Sequence, residues 1–540
     1  MGFSRTAGLL GSLGFLAGLT LPNASQAATF GDFVCTEQPG NVLRYECTAQ
    51  TSADSARIEF WEDGTADYRY SRWSEVGTEH SWTIWGLKAG TTYQYRVEAL
   101  GPPASESALV RSFTTDELGR EFGPPFSGLE ARVSTRPGAT PWTEYVLANI
   151  ECDTPNEYYI IFDVEGNVVW YEAPDSSRGV TALNYDFENQ TVMGITGTIL
   201  PHEIALDGTR VREVNYMDWF DCSNGPGPCP HHDVFRDSTS GITWVTTGRL
   251  DEVNFGPSGL DTCEDKNAYV VDGWDRLDDD WTTVEQTWEL TTHFGYNPDV
   301  DMGPRYDPKS PVPKCKPGSW SGSLGWFNPE TGSYEPPIDF SHVNAFHAED
   351  PYLYISLFNW DQMIKVDPAT NTIMWRLHGT DPAYSDFATP ITIAPSIVAN
   401  DTTIVSGHHH MITNPDGTFQ FFNNQQFQEK YYARVARMEL DTKTWVATMT
   451  EAFTMVDDDD GTYVNPEPLQ CSQVGSGYNL GDGSRVLAPC AAQGYILELD
   501  QPDGTWSNGP VWSMHLTCDG MPVKVPSLYR AVPIPTLDPL

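Results

Sequence analysis

One short pattern recurs along most of the chain and limits the folds that are open to it. An apolar strand runs into a turn at Asp or Gly, and a second strand follows that often closes on an aromatic residue. The six copies are Tyr159 to Trp170, Glu203 to Val214, Tyr269 to Trp288, Met363 to Trp375, Val435 to Trp445 and Tyr495 to Trp512. Because helical periodicity is missing and the β units repeat, we predict an all-β fold with a six-bladed β-propeller over residues 129–525. A parallel β-helix, the competing all-β fold, would have much shorter repeats.

The stretch before the repeats has a different character. Residues 30–115 alternate apolar and polar side chains, which predicts a small β-sandwich. The segment from Gly86 to Val97 resembles the fibronectin type III signature, in which a tyrosine, here Tyr93, forms a structural corner. Residues 116–128, rich in Gly and Pro, are interpreted as a linker, and residues 296–337 as an insertion in the propeller.

The first residues have the features of an export signal. Arg5 precedes an apolar run from Leu9 to Leu21 that is too short to span a bilayer, and Ser25-Gln26-Ala27 fits a cleavage site. Residues 1–27 are therefore predicted to be a signal peptide. The mature protein is expected to be periplasmic or extracellular, without membrane insertion.

Cysteine usage fits that compartment. The chain has 10 cysteines, and an even number in an exported protein suggests disulfides. Near neighbours would pair first, and the two remaining pairs follow; the predicted disulfides are Cys35–Cys47, Cys222–Cys229, Cys471–Cys490, Cys263–Cys315 and Cys152–Cys518.

The charge of the chain excludes two classes of partner. A formal net charge of −43 repels phosphate backbones and anionic lipids, so nucleic acid and membrane surfaces are not expected partners. A small anionic substrate would need a local site with positive or hydrogen-bonding groups.

Histidines cluster at the starts of three blade-like repeats. They lie in Pro230-His231-His232-Asp233, Ser341-His342-Val343-Asn344 and Gly407-His408-His409-His410. The inner strands of a propeller face its central channel, so these starts are expected to converge at one mouth of the funnel. In an extended run His408 and His410 would point to the same face.

The stretch from Asp339 to Gly379 resembles a blade of the arylsulfotransferase family, whose members are secreted or periplasmic propeller enzymes. The resemblance rests on the His-x-Asn of His342 and Asn344 and on the Ile-Lys-Val-Asp run that ends at Asp367. It extends over about residues 130–520, and it implies that His232, His342 and His409 are catalytic, with His409 as the nucleophile. It also implies substrate-binding roles for the remaining residues of the site, which are His231, Asn344, Phe358, His408 and His410.

The chain departs from the family at several of these positions. The family has Gln and Asp on either side of its nucleophile, whereas His408 and His410 flank His409. Phe358 occupies the position of an arginine that binds sulfate oxygens, and Tyr478 that of a glutamine after Gly-Ser-x. Without the neighbouring carboxylate, the orientation of the nucleophile has to come from another group.

Three functions remain open at the level of sequence. The resemblance implies an exported enzyme that moves a sulfuryl group from a small aryl sulfate to a phenol through a sulfohistidine, with no cofactor and no metal. A second hypothesis is an inactive secreted propeller that binds an extracellular ligand. A third is a metal site built from the clustered histidines, although no close ligand spacing fixes its geometry.

Overall fold

The computed structural model describes the chain from residue 27 to residue 538 with several gaps. The described ranges are 27–100, 105–107, 109–118, 129–153, 156–173, 180–197, 199–219, 228–237, 240–253, 267–294, 326–328, 333–335, 338–339, 341–349, 351–358, 362–378, 390–393, 407–424, 432–456, 468–471, 474–500, 509–518 and 528–538. These residues form an all-β protein, as the repeats predict. The predicted signal peptide (apart from residue 27), most of the linker and most of the insertion lie outside these ranges.

The N-terminal residues form two sheets that share one core. A three-stranded sheet has the order β1-β2-β5, and a second sheet has the order β4-β3-β6, with β7 and β8 also paired to β6. The strands are β1 (Phe30–Gln38), β2 (Asn41–Thr51), β3 (Ala56–Glu62), β4 (Arg69–Tyr70), β5 (Glu79–Ile84), β6 (Thr92–Ala99), β7 (Ser105–Glu106) and β8 (Arg111–Thr114). Apolar side chains of both sheets pack in the core between them. The Tyr93 hydroxyl accepts a hydrogen bond of 2.8 Å from the Lys88 amide, five residues upstream.

Six antiparallel sheets of four strands follow in the described residues, numbered I to VI along the chain. Sheet I has the order β37-β10-β11-β12, and sheets II and III run β13 to β16 and β17 to β20. Their strands are β10 (Tyr145–Asp153), β11 (Asn156–Asp163), β12 (Val168–Glu172), β13 (Val180–Asp186), β14 (Thr191–Thr196), β15 (Leu200–Ala205), β16 (Arg210–Glu213), β17 (Cys229–Arg236), β18 (Thr243–Val253), β19 (Asn267–Leu277), β20 (Val284–Glu289) and β37 (Ala531–Ile534).

Sheets IV, V and VI complete the set. They run β24 to β27, β29 to β32 and β33 to β36, and β9 adds a fifth strand outside β36. Their strands are β9 (Leu129–Thr135), β24 (Val343–Glu349), β25 (Tyr352–Leu357), β26 (Gln362–Asp367), β27 (Thr372–His378), β29 (His408–Thr413), β30 (Phe419–Asn423), β31 (Arg434–Asp441), β32 (Val446–Thr454), β33 (Tyr478–Leu480), β34 (Arg485–Cys490), β35 (Tyr495–Leu499) and β36 (Trp512–Cys518).

The remaining described elements are short. The strand β28 (Pro390–Ile393) bridges the outer strands of sheets IV and V, and β23 (Ile338–Asp339) pairs with β19. A hairpin joins β21 (Trp326–Asn328) to β22 (Ser333–Glu335) within the predicted insertion. One α-helix, α1 (Leu290–Phe294), and two 3-10 turns (Tyr216–Asp218 and Ala491–Gln493) complete this part of the chain. None of the described helices has the length and apolar character needed to cross a membrane.

Each sheet packs on the next through a shared hydrophobic core. Separate clusters join sheets I and II, II and III, III and IV, IV and V, and V and VI. A sixth cluster joins sheet VI back to sheet I, so the packing order closes on itself. The strand β37 from the C-terminal end is the inner strand of sheet I, and β9 from the N-terminal side is the outermost of sheet VI. The predicted domain end at residue 525 therefore stops short of a strand that belongs to sheet I.

The six repeats of the sequence are the outer hairpins of the six sheets. In the first, β11 leads through a turn at Asp163 to β12, and the other copies take the third and fourth strands of their own sheets. The closing aromatic has a structural role, because its indole N–H reaches the neighbouring sheet. Trp170 donates to Leu206 O at 2.7 Å, Trp288 to Pro368 O at 3.0 Å and Trp512 to Val164 O at 2.9 Å.

In the third copy the sequence pattern predicts the turn at Asp272, directly after the apolar run that begins at Tyr269, and this prediction is wrong. Asp272 lies in the middle of β19 and is buried, whereas the turn before β20 is made at Asp278. The Asp278 carboxylate accepts hydrogen bonds from the backbone amides of Thr282 and Thr283, which closes that turn. Asp272 is thus available for the functional site.

Three of the predicted disulfides are formed. They join Cys35 to Cys47, Cys471 to Cys490, and Cys152 to Cys518. Cys229 is also disulfide-bonded, but Cys222, Cys263 and Cys315 lie outside the described residues. Disulfides persist in oxidising compartments, so these bonds fit a secreted or periplasmic protein.

Candidate functional site

The histidine motifs lie where the inner strands of sheets III, IV and V begin. Three of their histidines have left-handed backbone conformations: His232 with φ 55°, His342 with φ 51° and His410 with φ 45°. Each lies at or beside a break in the register of β17, β24 or β29. Positive φ is uncommon for residues other than glycine, and such outliers cluster at functional sites.

Five aromatic rings form a continuous chain across these three sheets. The centroid distances are 4.9 Å from His231 to His232, 4.7 Å from His232 to His342, 5.0 Å from His342 to Phe358, and 5.0 Å from Phe358 to His409. The structure thus brings together the three histidines predicted to be catalytic. Phe358, which the family resemblance predicts to stand in place of an arginine, lies between the imidazoles of His342 and His409.

A buried amide holds the predicted nucleophile. His409 Nδ1 lies 2.7 Å from Asn424 Oδ1, and Asn424 Nδ2 donates to Cys471 O at 2.6 Å and to Val474 O at 2.9 Å. Two carbonyls can only accept, so they fix the amide with its oxygen toward the imidazole. The Nδ1 atom of His409 must then carry the proton. In the neutral ring the lone pair is at Nε2, which is the nitrogen that could attack a sulfur atom.

The histidines on either side of His409 have different partners from each other. His408 Nδ1 lies 2.6 Å from Ser356 Oγ on sheet IV, whereas His410 Nδ1 accepts from the Gly477 amide at 3.2 Å beside sheet VI. The expectation that His408 and His410 share one face is wrong, because the register shift at His410 interrupts the alternation of the strand. The His410 ring packs against Tyr478 with a centroid distance of 4.5 Å.

A carboxylate stands behind His232, with one histidine between them. Asp272 Oδ1 lies 3.0 Å from His231 Nε2, and Asp272 Oδ2 accepts from the Ser341 hydroxyl and the Val343 amide. His231 Nδ1 lies 2.7 Å from His232 Nδ1. The negative Asp272 carboxylate, 3.0 Å from His231 Nε2, favours the tautomer of His231 that has its proton on that nitrogen. His231 Nδ1 then accepts from His232, and the lone pair of His232 is at Nε2.

Burial keeps two of the imidazoles neutral at pH 7. It lowers the pKa of His232 well below 6.5, and the neighbouring His342, His231, His409 and Arg530 lower it further. The pKa of His410 is also well below 6.5, first through burial and then through Arg530 and His347. Neutral rings can act as bases or hydrogen-bond donors, but they do not supply positive charge for a sulfate.

The side chain of Asn344 is engaged within the protein. Its Oδ1 accepts from the Ser356 hydroxyl at 2.7 Å, and its Nδ2 donates to His408 O at 2.8 Å. These bonds tie the start of β24 to the start of β29. A contact from Asn344 to substrate therefore stays a prediction.

The C-terminal residues Tyr529 and Arg530 complete the site and were missed by the sequence analysis. The Tyr529 hydroxyl donates to His232 O at 2.8 Å, next to the backbone of the site. Arg530 forms a buried bidentate ion pair with Asp233, with both N···O distances at 2.9 Å. Asn184 Nδ2 donates to the same carboxylate at 2.7 Å. This pair links the C-terminal segment to sheets II and III directly behind the histidines.

Sequence signals for the missed residues were weak or absent. Asp233 follows His231 and His232 directly, and Asn424 comes directly after β30, the strand that follows the His408 motif. Both residues are visible beside the motifs, but nothing in the sequence indicates a role for them. Tyr529 and Arg530 lie about 300 residues from His232 and carry no motif. Within the described parts of the chain, no group of three or more His, Cys, Asp or Glu residues is arranged to hold a metal ion.

Comparisons with solved structures give low structural similarity. A protein of unknown function from Bacteroides thetaiotaomicron has 11% identity and a TM-score of 0.30 over 92% of this chain and 99% of its own. A putative 6-phosphogluconolactonase from Bacteroides uniformis has 10% identity and a TM-score of 0.35 over 73% and 99%. The dihydro-heme d1 dehydrogenase NirN has 10% identity and a TM-score of 0.30 over 78% and 82%. At these scores the likenesses carry no argument, and no curated protein matches the chain.

A family comparison gives the more specific result. Residues 326–506 match the arylsulfotransferase (ASST) family model, which is about a third of the chain. The match contains Phe358, His342 and the motif from His408 to His410, but it does not contain His231 and His232. It supports a relation to the arylsulfotransferases and suggests aryl sulfotransferase activity.

Proposed function

We propose that this protein is an exported sulfotransferase that moves a sulfuryl group from an aryl sulfate to a phenol, with His409 as the nucleophile. The single observation that carries the proposal is the bond from His409 Nδ1 to the anchored amide of Asn424. It orients the ring and leaves a lone pair at Nε2, which are the two requirements of an imidazole nucleophile. The match to the arylsulfotransferase family model supports the choice of reaction.

In the first half of the reaction the donor loses its sulfuryl group to the enzyme. The Nε2 lone pair of His409 attacks sulfur, the S–N bond forms, and the bond from sulfur to the aryl oxygen breaks. The phenolate leaves with the electron pair of that bond and takes a proton from solvent or a neighbouring imidazole. Asn424 keeps its hydrogen bond to Nδ1–H throughout and stabilises the positive charge that develops on the ring.

In the second half a phenol takes the sulfuryl group. His232 Nε2 accepts the phenol proton while the phenol oxygen attacks sulfur and the S–N bond breaks. The positive charge on His232 is stabilised through His231 by Asp272, whose oxygen lies 3.0 Å from His231 Nε2. The low pKa of His232 keeps the base unprotonated before the step. His232 then releases this proton to solvent, which offsets the proton taken up by the first phenolate. The net products are one phenol and one new aryl sulfate, and His409 and His232 are neutral again.

The rings of Phe358 and His342 provide a surface for the aromatic part of the substrates. Phe358 packs 5.0 Å from both His342 and His409, so an aryl group over His409 would meet an apolar face. Phenylalanine offers no donors to sulfate oxygens, in contrast to a guanidinium group. We therefore infer weak binding of simple aryl sulfates and slow turnover.

The six sheets are proposed to be the blades of a propeller, and the N-terminal unit a fibronectin type III-like sandwich. The cyclic order of shared cores from sheet I to sheet VI and back supports the propeller. The bond from the Lys88 amide to Tyr93 Oη, a corner typical of such sandwiches, supports the second assignment. Export fits the disulfides and would use residues 1–27.

A ligand-binding protein without activity is the second candidate, and Phe358 favours it. The residue fills the position where the family has its sulfate-binding arginine, and the pKa of His232 and of His410 are both too low for either ring to replace that charge at pH 7. In this case the chain of aromatic rings from His231 to His409 would bind an aromatic ligand and catalyse no reaction.

Turnover of a chromogenic aryl sulfate, with and without a phenol acceptor, separates the two candidates. The wild type is expected to release the chromogenic phenol slowly and to accelerate when the acceptor is added. In His409→Gln release should stop, whereas in His232→Gln the first release should persist and the acceptor should lose its effect. His515→Gln, on the outer strand of sheet VI, is the matched control. Absence of turnover in the wild type with every donor and acceptor would contradict the enzyme and favour the binding protein.

A further inference from the structure

A cleft of about 450 Å³ lies between the N-terminal unit and sheet II, away from the histidines. One wall consists of residues 71–75 and part of β5 with Trp85, and the other of residues 189–191 and parts of β15 and β16. Three tryptophans line the first wall: Trp73, Trp82 and Trp85. The volume lies in the usual range for a small-molecule site.

The side chains in the walls of the cleft are held in place by contacts within the protein. The Arg57 guanidinium lies over the Trp73 ring at 4.6 Å, and Trp85 Nε1 donates to Leu537 O at 3.0 Å. On the opposite wall, Arg212 donates to Glu203 at 2.6 Å and to Asp279 O at 2.6 Å. Positions fixed in this way would not have to be ordered when a ligand binds, which favours affinity.

Among the three tryptophans of the first wall, Trp73 has an exposed ring, whereas Trp82 and Trp85 are buried. Trp73 is 39% exposed, which is unusual for a large apolar ring in a fixed position. Trp82 is buried, and its indole N–H has no hydrogen-bond partner among the described residues.

The charges around the cleft exclude a strongly anionic ligand. Arg72 and Arg212 are opposed by Glu75, Glu203 and Asp207, so the lining carries no excess of positive charge. The whole chain, with a net charge of −43, adds a repulsive field. The remaining lining includes hydroxyl and amide groups that both donate and accept hydrogen bonds.

We propose that this cleft binds a neutral carbohydrate. A sugar ring has an apolar face of C–H groups that packs on an indole, here that of Trp73. Its hydroxyls lie around the rim, where the polar side chains of both walls can act as partners. The site is independent of the proposed sulfotransfer, because it uses none of the residues around His409.

Direct binding of defined sugars to the full-length mature protein tests the proposal. The probes are cellobiose, maltose and lactose, with a uronic-acid disaccharide and a proline-rich peptide as alternatives, and the readouts are tryptophan fluorescence and calorimetry. At least one neutral disaccharide should bind, and Trp73→Ala should weaken it by about tenfold or more through loss of the stacking surface. Val211→Trp, at a 43% exposed position on the opposite wall, should abolish binding by filling the cleft.

Trp142→Ala is the matched control, since Trp142 is 41% exposed but does not line the cleft. It should bind the same sugar as the wild type does, and thermal unfolding of each variant shows that it is folded. Three results would overturn the proposal: no neutral sugar binds, binding persists equally in Trp73→Ala and Val211→Trp, or only the acidic disaccharide or the peptide binds.

Discussion

At the scale of single residues, the orientation of His409 depends on one amide. Asn424→Leu removes the acceptor for His409 Nδ1–H, which frees the ring to rotate and to exchange tautomers. Loss of an orienting partner is expected to lower kcat by about tenfold to a hundredfold, with a smaller effect on KM. Asn424→Asp keeps an acceptor oxygen, so it should retain more activity than the leucine variant, as steady-state kinetics would measure.

The Tm of the aspartate variant distinguishes an effect on the orientation of His409 from an effect on protein stability. Its carboxylate would face the carbonyls of Cys471 and Val474, which now receive the amide hydrogens. We therefore expect Asn424→Asp to have a lower Tm than wild type while remaining the more active variant. Equal activity in the two variants would mean that Asn424 does not orient the nucleophile.

A second prediction at this scale concerns Phe358, where a substitution is expected to increase activity. An arginine between His342 and His409 would place donors beside the sulfuryl oxygens of a substrate on His409. One preorganised donor of this kind typically changes the rate by about a hundredfold, so Phe358→Arg should raise kcat/KM for simple aryl sulfates by about tenfold or more. Phe358→Leu, which adds no donor, is the control. Fast wild-type turnover that the arginine abolishes would require a different sulfate site.

At the scale of structural elements, the left-handed histidines give a test of backbone strain. The conformation of His342, with φ 51°, disfavours any side chain with a Cβ atom. Because both variants lose the same ring, His342→Gly should be more stable than His342→Ala by about 1 kcal/mol. Urea denaturation measures the difference. At His515, within the regular strand β36, the order should reverse, since glycine weakens a strand. If His342→Ala is as stable as His342→Gly or more stable, the conformation of His342 is not strained.

The outer hairpins could be predicted because their signals are local. An apolar run, a turn residue and a closing aromatic are close together in the sequence. The described turns at Asp163, Asp207, Asp367 and Asp441 lie where the pattern predicts them. Asp272 shows the limit of that reasoning, because a buried strand carboxylate and a turn carboxylate look alike in sequence. The bulge at His410 also could not be predicted from the sequence. The alternation of side chains along a strand predicts that His408 and His410 lie on one face, but the register shift gives them separate partners.

The site could be predicted as residue types and only partly as an arrangement. The histidines of the candidate site stand in short motifs, so the sequence singles out His232, His342 and His409, whose catalytic roles stay a prediction. Asn424 was not, because the family pattern directs attention to the residue next to the nucleophile, whereas the orienting group comes from the next strand. Tyr529 and Arg530 are brought to the site by the pairing of β37 with β10. These strands are far apart in the sequence, and no local sequence pattern predicts that they pair.

At the scale of the whole molecule, one disulfide joins two cysteines that are separated by most of the sequence of the six sheets. Cys152 in β10 and Cys518 in β36 are 366 residues apart and join sheet I to sheet VI, whereas Cys35 and Cys47 are 12 apart. The loop entropy removed from the unfolded chain grows with this separation. We expect Cys152→Ser with Cys518→Ser to cost about 5 kcal/mol and the Cys35, Cys47 serine pair about 3 kcal/mol.

Denaturant midpoints of the two double-serine variants measure that difference. The result that would contradict closure between sheets I and VI is a Cys152, Cys518 variant as stable as wild type, or less affected than the Cys35, Cys47 variant. β37 follows sheet VI in the chain but pairs in sheet I, and β9 precedes sheet I but pairs in sheet VI. Because of this exchange of strands, a cooperative loss of structure is expected.

The most direct test of the proposed function is a search for the covalent intermediate. The protein is incubated with an aryl sulfate that carries radiolabelled sulfur, quenched at alkaline pH without acceptor, digested and mapped by peptide. The account predicts acid-labile label on the peptide that contains His409, its loss when a phenol is added before quenching, and its absence from His409→Gln but not from His515→Gln. Label on another residue, or turnover without any labelled peptide in the wild type, would contradict a sulfohistidine at His409.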